Sequence, residues 1–292
     1  MNGIILKGVG GFYTVLADGV SYVCKARGLF RKQHLVPMVG DRVDFSLNAD
    51  GKTGYLLSIN ERKNALPRPA VANIDKLFIV IAASKPEPDL LLVDKLLLCC
   101  EKYAIEPIIV INKCDTAQTE TISGIAEEYR PTGYKLYRAS AATNFGIDAL
   151  RNEIYNSVVC FAGQSAVGKS SLLNALLPGM EVAVGELSRK TERGRHTTRH
   201  AELIPINGGA VLDTPGFSLL DSVDCEPEEI KNFYPELRQH AFECRFSSCL
   251  HISEPGCVVK TKLLNNGINP ERYSRYVRLV LDAAENKKHR YE

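Results

Sequence analysis

Gly163-Gln164-Ser165-Ala166-Val167-Gly168-Lys169-Ser170 is the stretch that most restricts how this chain can fold. It fits G-x-x-x-x-G-K-[ST], follows the apolar run Val158–Ala162 and opens a helical segment over 169–177. That is the strand–loop–helix setting the pattern requires. Glycines let backbone N–H groups turn inward around a polyphosphate, and the helix N-terminus adds partial positive charge. In this reading Lys169 reaches the β- and γ-phosphates, Ser170 binds Mg²⁺, and Ser171 stands beside them in the first turn. Such a loop needs a parallel sheet behind it. Strand-like runs over 77–82, 108–111, 134–139, 158–162, 201–206 and 209–212 alternate with helical segments such as 89–104. That alternation predicts a doubly wound α/β sheet over about 70–220. In 89–104, Asp94, Lys95, Glu101 and Lys102 fall one heptad apart and are assigned to a polar face.

The flanking regions have different patterns. Residues 1–60 break into runs rich in Val, Ile, Tyr and Phe, punctuated by Gly10-Gly11, Asp18-Gly19 and Asp50-Gly51. This is hairpin chemistry and predicts a small all-β barrel. The stretch 64–69, with Pro67 and Pro69, reads as a linker. Residues 226–292 read as mostly helical, interrupted by a Cys/His cluster at 244–257. The predicted fold is multidomain: a β-barrel over 1–66, an α/β P-loop domain over 70–222 and a mostly helical domain over 223–292.

Composition excludes several classes. With 45% apolar and 24% charged residues, the 292-residue chain is neither disordered, collagenous nor a coiled coil. Its longest clean apolar stretch, 77–83, is far short of the ~20 residues that span a bilayer. The N-terminus shows no basic segment before an apolar one, so a cytoplasmic protein with no membrane association is expected. Nine scattered cysteines fit a reducing compartment, some of them binding metal.

Further motifs bear on the nucleotide. Asn112-Lys113-Cys114-Asp115 ends a strand-like run. Asp115 there can accept from guanine N1–H and the 2-amino group together. Adenine offers the wrong edge and leaves the carboxylate unpaired. Asn112 would bond guanine N7 and tie down the loop, the Lys113 stem would cover the base, and Ser140-Ala141 would give a backbone N–H to guanine O6. In Asp213-Thr214-Pro215-Gly216, Asp213 would hold Mg²⁺ through water and the Gly216 N–H would meet the γ-phosphate. Between these motifs, 188–200 carries five basic residues and one acid where a threonine is needed that binds Mg²⁺ only with the γ-phosphate present. By analogy with GTPases reading T-T-R, that residue is Thr198 rather than Thr197. Phe217 stands where a Ras-like enzyme has a water-orienting Gln, which predicts slow intrinsic turnover.

The order of these motifs is unusual. The base-reading motifs (112 and 140) precede the phosphate loop (163), the Thr pair (197–198) and D-T-P-G (213). The GTPase domain is therefore read as circularly permuted, and the segment after Gly216 leads directly into the C-terminal region. With Arg68-Pro69-Ala70-Val71-Ala72-Asn73-Ile74-Asp75, Gly194-Arg195-His196-Thr197-Thr198 and the Cys/His cluster, the whole chain resembles the RsgA (YjeQ/YloQ) family. These are circularly permuted GTPases that act in maturation of the bacterial small ribosomal subunit. The resemblance implies an OB-fold at the N-terminus and zinc at the C-terminus. It implies GTP and GDP as ligands, and His196 as the catalytic stand-in for the missing Gln beside Lys169 and Thr198.

Cys244, Cys249, His251 and Cys257 form C-x₄-C-x-H-x₅-C. Three thiolates and an imidazole suit one tetrahedral, structural Zn²⁺, and spacing alone also describes free cysteines. The resemblance assigns these four as ligands, and the other cysteines read as packing residues. Residues 1–68 hold ten Lys/Arg against five acids, a local charge of +5 that leaves −3 on the remainder. Lys25, Arg27, Arg31, Lys32 and Arg42 lie among Phe12, Tyr13, Tyr22 and Phe30. Basic residues among aromatics suit RNA. Composition equally describes a solvated surface, and the resemblance points to rRNA of the small subunit. The segment from Arg272 to Arg278 reads as a helix face, either on rRNA or solvated. No leftover apolar stripe suggests a dimer, so a monomer is expected. The main reading is a ribosome-stimulated assembly GTPase. The alternatives are a GTP-sensing RNA-binding adaptor with little hydrolysis, or a GTPase of another RNA process.

Overall fold

The computed structural model describes residues 1–28, 30, 35–67, 70–177, 201–206, 208–213, 225–265 and 267–289. At the N-terminus, five strands each turn one side inward. They are β1 (Asn2–Val9), β2 (Phe12–Ala17), β3 (Val20–Ala26), β4 (Arg42–Leu47) and β5 (Thr53–Ile59). They pair in the order β1-β2-β3-β5-β4, and β4 returns to β1. β3 and β5 run parallel and the other pairs antiparallel. Closure removes the free edges a short sheet would otherwise expose. Ile5, Val15, Cys24, Val43, Phe45 and Leu56 fill the interior. This is the predicted barrel, and its strand order is that of an OB-fold.

Residues 64–67 of the expected linker are instead packed structure. β6 (Ala65–Pro67) and β7 (Ala70–Ala72) pair as a small antiparallel ribbon. The buried Asn64 side chain donates to Ile74 O at 2.8 Å and accepts from Ile74 N at 2.9 Å. Asn73 Nδ2 donates to Gly40 O at 2.9 Å, so the ribbon is stitched to the barrel. Buried Leu66 and Val71 drive this packing, which local proline content does not reveal.

Continuous with the barrel through β1, the rest of the 11-stranded sheet contains β8 (Lys76–Ala82), β9 (Glu106–Asn112), β10 (Lys135–Arg138), β11 (Val158–Ala162), β12 (Glu202–Ile206) and β13 (Gly209–Asp213). Its order is β10-β9-β8-β11-β13-β12. All neighbours are parallel except β12, which forms a hairpin with β13. β12 meets the barrel at Lys7↔Glu202, where the two side chains form a 2.6 Å ion pair. The central strands β8 and β9 are buried on both faces, with Ile79, Ile81, Ile109 and Ile111 in one core and Phe78, Val80, Ile108 and Val110 in the other. Helices α1 (Leu90–Lys102), α2 (Thr119–Tyr129), α3 (Ile147–Ile154) and α4 (Lys169–Leu176) connect them. Asp89 caps α1 by accepting from Leu92 N at 3.0 Å.

The C-terminal region holds α5 (Pro227–Ile230), α6 (Pro235–Ala241), α7 (Val258–Leu264) and α8 (Pro270–His289). Its core takes in Leu98 of α1 along with Tyr234, Leu237, Val259 and Tyr276. Two expectations are corrected here. Asp94, assigned to a polar face, is fully buried, and Arg272, assigned to a solvated or RNA-facing helix, is 1% exposed. Arg272 donates to Asp94 Oδ1 and, through Nε, to Glu236 Oε1 at 2.5 Å. Arg275 Nε donates to Asp94 Oδ2 at 2.6 Å, and its other arm reaches Glu128. Tyr129 Oη adds a 3.0 Å bond to Asp94. α1 is covered by the sheet on one side and by α8 on the other, so a face that looks polar by spacing is an internal ion-pair site.

Candidate functional site

The parallel strands all end at the same edge of the sheet, and the loops that follow them carry the sequence motifs. β11 runs straight into Gly163, whose φ is +135° and where a Cβ would meet Val80 O at 2.2 Å. Gly168 ends the loop at φ +96° and caps α4, and a Cβ there would meet Asn112 Nδ2 at 2.4 Å. Only glycine fits either place. Between them Gln164 is half-buried, Ser165 and Ala166 are exposed and Val167 is buried, while Ser170 and Ser171 lie in the first turn of α4. Lys169 Nζ donates to Gly163 O and Gln164 O, both at 2.8 Å. Burial pulls its ammonium down to about 8.

The N-K-x-D motif is joined to this loop. Asn112, 1% exposed at the end of β9, donates from Nδ2 to Val167 O at 2.9 Å. Its Oδ1 accepts from Ala141 N at 3.3 Å. One amide thus ties together three loops whose sequence positions are far apart. The amide nitrogen keeps a second N–H for a ligand. Lys113, at φ +60°, donates to Lys85 O at 2.6 Å and to Ala166 O at 2.8 Å. Its stem therefore bridges the loop after β8 and the phosphate loop. Asp115 is exposed next to these groups in sequence. Ser140 is buried, and its Oγ accepts from Thr143 N at 3.2 Å. The Ala141 N–H expected for guanine O6 is given to Asn112 in this structure.

The backbone of Asp213 ends β13, beside β11. Its side chain lies outside the described residues, as do His196, Thr197, Thr198, Gly216 and Phe217.

A second constellation lies in the C-terminal region. The ligand atoms of Cys244, Cys249, His251 and Cys257 all lie within 4.8 Å of one another. His251 Nδ1 is 3.6, 3.3 and 3.5 Å from the sulfurs of Cys244, Cys249 and Cys257. The Cys244 and Cys257 sulfurs are 3.9 Å apart. A tetrahedral site with Zn–S and Zn–N bonds of ordinary length needs S···N near ~3.6 Å and S···S near ~3.8 Å. The donor set fits such a metal in both chemistry and spacing. Burial pushes the Cys249 thiol up to about 12 and raises that of Cys257 as well, so these two hold their protons unless a cation takes up the charge.

Sequence reasoning missed the supports of this cluster. Glu254 accepts from Leu250 N at 2.6 Å and Ile252 N at 2.9 Å, folding the loop around His251. Tyr273 and Tyr276 of α8 donate to His251 O at 2.5 Å and Leu250 O at 2.6 Å. Lys231 Nζ donates to Ser247 O at 2.9 Å and Cys249 O at 3.0 Å. Glu254 alone carried a signal, since it sits inside the Cys/His window. The other cysteines are buried except half-buried Cys114, as packing residues should be.

Of the basic residues expected to meet RNA, Lys25, Arg27 and Arg42 are exposed on the barrel. Arg31 and Lys32 lie outside the described residues. No helix among the described residues is long and apolar enough to cross a membrane.

Comparison with known proteins agrees with this architecture. The family model described as RsgA GTPase matches residues 59–223, and that of the RsgA N-terminal domain matches residues 2–56. A relative from Halalkalibacterium halodurans, described as small ribosomal subunit biogenesis GTPase RsgA, is 43% identical over 294 residues, covering 99% of each chain. One of the same description from Geobacillus is 41% identical over 289 residues, covering 98% of each. The crystal structure of YjeQ from Thermotoga maritima superposes with a TM-score of 0.85 at 35% identity, covering 97% of this chain and 98% of that one. YloQ, described as a circularly permuted GTPase, superposes at 0.83 with 35% identity, covering 98% of this chain and 95% of that one. From its motif order, its barrel and these likenesses over nearly its full length, the chain belongs to the RsgA family of circularly permuted GTPases.

Proposed function

We propose that this chain hydrolyses GTP in the cytoplasm, binds the small ribosomal subunit as a monomer and assists its late maturation. The subunit stimulates the hydrolysis. The observation that carries the nucleotide reading is the Asn112 clasp, which joins the guanine-reading loop to the phosphate loop at 2.9 Å. The names of the relatives support the small ribosomal subunit as partner, and its rRNA is the component the basic barrel would meet.

In this reading Asp115 accepts from guanine N1–H and the 2-amino group, and the Lys113 stem covers the base. Asn112 offers its remaining N–H to guanine N7. The loop from Gly163 to Ser171 wraps the polyphosphate. Lys169 leaves the carbonyls of Gly163 and Gln164 for the β- and γ-phosphate oxygens. Ser170, Thr198 and Asp213 would hold Mg²⁺ with GTP, which would supply charge neutralisation at those phosphates. The Gly216 N–H steadies the γ-phosphate. His196 orients a water in line with the γ-phosphorus. As the new P–O bond forms, the bond to the β-phosphate oxygen breaks, releasing GDP and phosphate. Cys244, Cys249, His251 and Cys257 would hold one Zn²⁺, and four protein ligands would give it a structural role.

The specificity test is Asp115→Asn. Xanthine carries a carbonyl where guanine carries its 2-amino group, and an amide can donate to that carbonyl. The variant is expected to lose its preference for GTP and to gain turnover with XTP. A variant that still prefers GTP over XTP as the unaltered chain does would remove Asp115 from base recognition.

A further inference from the structure

β1 serves two partners along one edge, because β2 occupies the other. Residues 2–4 pair with β4, while Lys7 registers with Glu202 of β12. One edge cannot hold both strands at the same height, so β4 and β12 part between residues 4 and 7. Pro205 keeps this fork open. The N–H of its pair mate Ala210 turns away to Ser157 O at 3.0 Å, which aims the proline nitrogen, without a hydrogen, at the barrel. A cavity of about 580 Å³ fills the fork, within the size range of small-molecule sites.

The barrel wall of the cavity is one row of side chains. Ile4 pairs with Leu16 on β2 and with Arg42 on β4, so the three share a face. Ile5 points into the barrel, which turns that row outward to the fork. Ile4 and Leu16 are half-buried, as are Val158 and Ile206 across the gap. Covering them would remove further apolar surface from water. The charges at the cavity are unequally matched. Asp75, on the sheet wall, accepts from Val158 N at 2.8 Å and pairs with Lys63 at 3.0 Å. Arg42 has no carboxylate partner among the described residues. The fork thus joins an apolar floor to one uncompensated guanidinium.

A bare phosphate would gain nothing from the apolar walls, and a hydrocarbon would leave the arginine unused. We propose that the fork between barrel and sheet binds a small organic acid with an apolar body and a carboxylate head. The body rests on Ile4, Leu16 and Ile206, and the carboxylate meets the Arg42 guanidinium. β11 leads from Val158 at the cavity to Gly163 of the phosphate loop, about 16 Å away. Acid and nucleotide therefore bind together.

The test uses the full chain saturated with GDP, titrated by calorimetry with 4-phenylbutanoate and with neutral 4-phenylbutanol. The acid is expected to bind at one site with a Kd below about 1 mM, and the alcohol about tenfold more weakly. Arg42→Gln should bring the acid down to the affinity of the alcohol, and Arg42→Lys should restore part of it. Ile206→Trp fills the cavity and should abolish binding of both compounds, with circular dichroism and GDP affinity as folding controls. Absence of saturable binding up to about 5 mM acid would overturn the proposal. Equal affinities for acid and alcohol in the unaltered chain, or an acid affinity that survives Arg42→Gln, would overturn it as well. Full binding in a folded Ile206→Trp chain would put the acid elsewhere, and its displacement by GDP would put it at the nucleotide site; either result ends the proposal. If Ile206→Trp does not fold, the acid–alcohol comparison and Arg42→Gln decide the outcome.

Discussion

Lys169 is held by two loop carbonyls in a site dry enough to pull its ammonium down to about 8. Phosphate oxygens favour the charged form, so the bound state keeps the proton to higher pH than the free state. Below pH 8 the lysine is charged in both states and affinity does not depend on it. Above pH 8 the free lysine has lost its proton, and binding must recover one. GDP affinity should therefore fall about tenfold between pH 7 and pH 9. A Lys169→Ala variant shares the guanine's own titration and should lack this component of the slope. Titration of a fluorescent GDP analogue across that range checks it. Identical slopes in the two proteins would take the lysine out of the linkage. Asn112 works differently: its buried amide gains nothing from pH and contributes by holding three loops in register.

α1 is the element shared between the GTPase sheet and the C-terminal region, because its Leu98 sits in the C-terminal core and its Asp94 receives both Arg272 and Arg275. Asp94→Ala would leave buried Arg272 short of a counter-charge, at a cost of about 3–5 kcal/mol. Urea denaturation should show that loss, undiminished in high salt, and a change below about 1 kcal/mol would contradict the buried-pair account. The Cys/His cluster belongs to the same unit. Elemental analysis should find one zinc per chain, and Cys249→Ser should lower that figure and melt the C-terminal helices first. Full helicity in a metal-free protein would exclude a structural role. These elements differ in how far they could be read in advance. The phosphate loop, N-K-x-D and the Cys/His cluster are contiguous, so the spacing of a few residues carries them. The doubly wound sheet was legible because strands buried on both faces are apolar throughout. The Arg272–Asp94 pair spans 178 residues and the Asn112–Val167 bond spans 55, so no local pattern encodes them. Residues 64–67 read as linker from prolines that are local, while the burial of Leu66 and Val71 is tertiary.

Across the whole molecule, the closed barrel, the GTPase sheet and the C-terminal region form a chain of contacts through β1–β12 at one end and α1–α8 at the other. The permuted order places the barrel before the sheet and sends the chain after D-T-P-G into the C-terminal region. Both regions thus flank the sheet whose parallel strands end at the phosphate loop and N-K-x-D. Phe217 stands where a Ras-like enzyme has its water-orienting side chain, so the proposed role of His196 depends on the small subunit setting it in place. The most direct test is steady-state GTP hydrolysis at fixed Mg²⁺, measured alone, with purified small ribosomal subunits and with large ones. The account predicts slow turnover alone, at least tenfold stimulation by small subunits and none by large ones. Equal rates in all three conditions would contradict it.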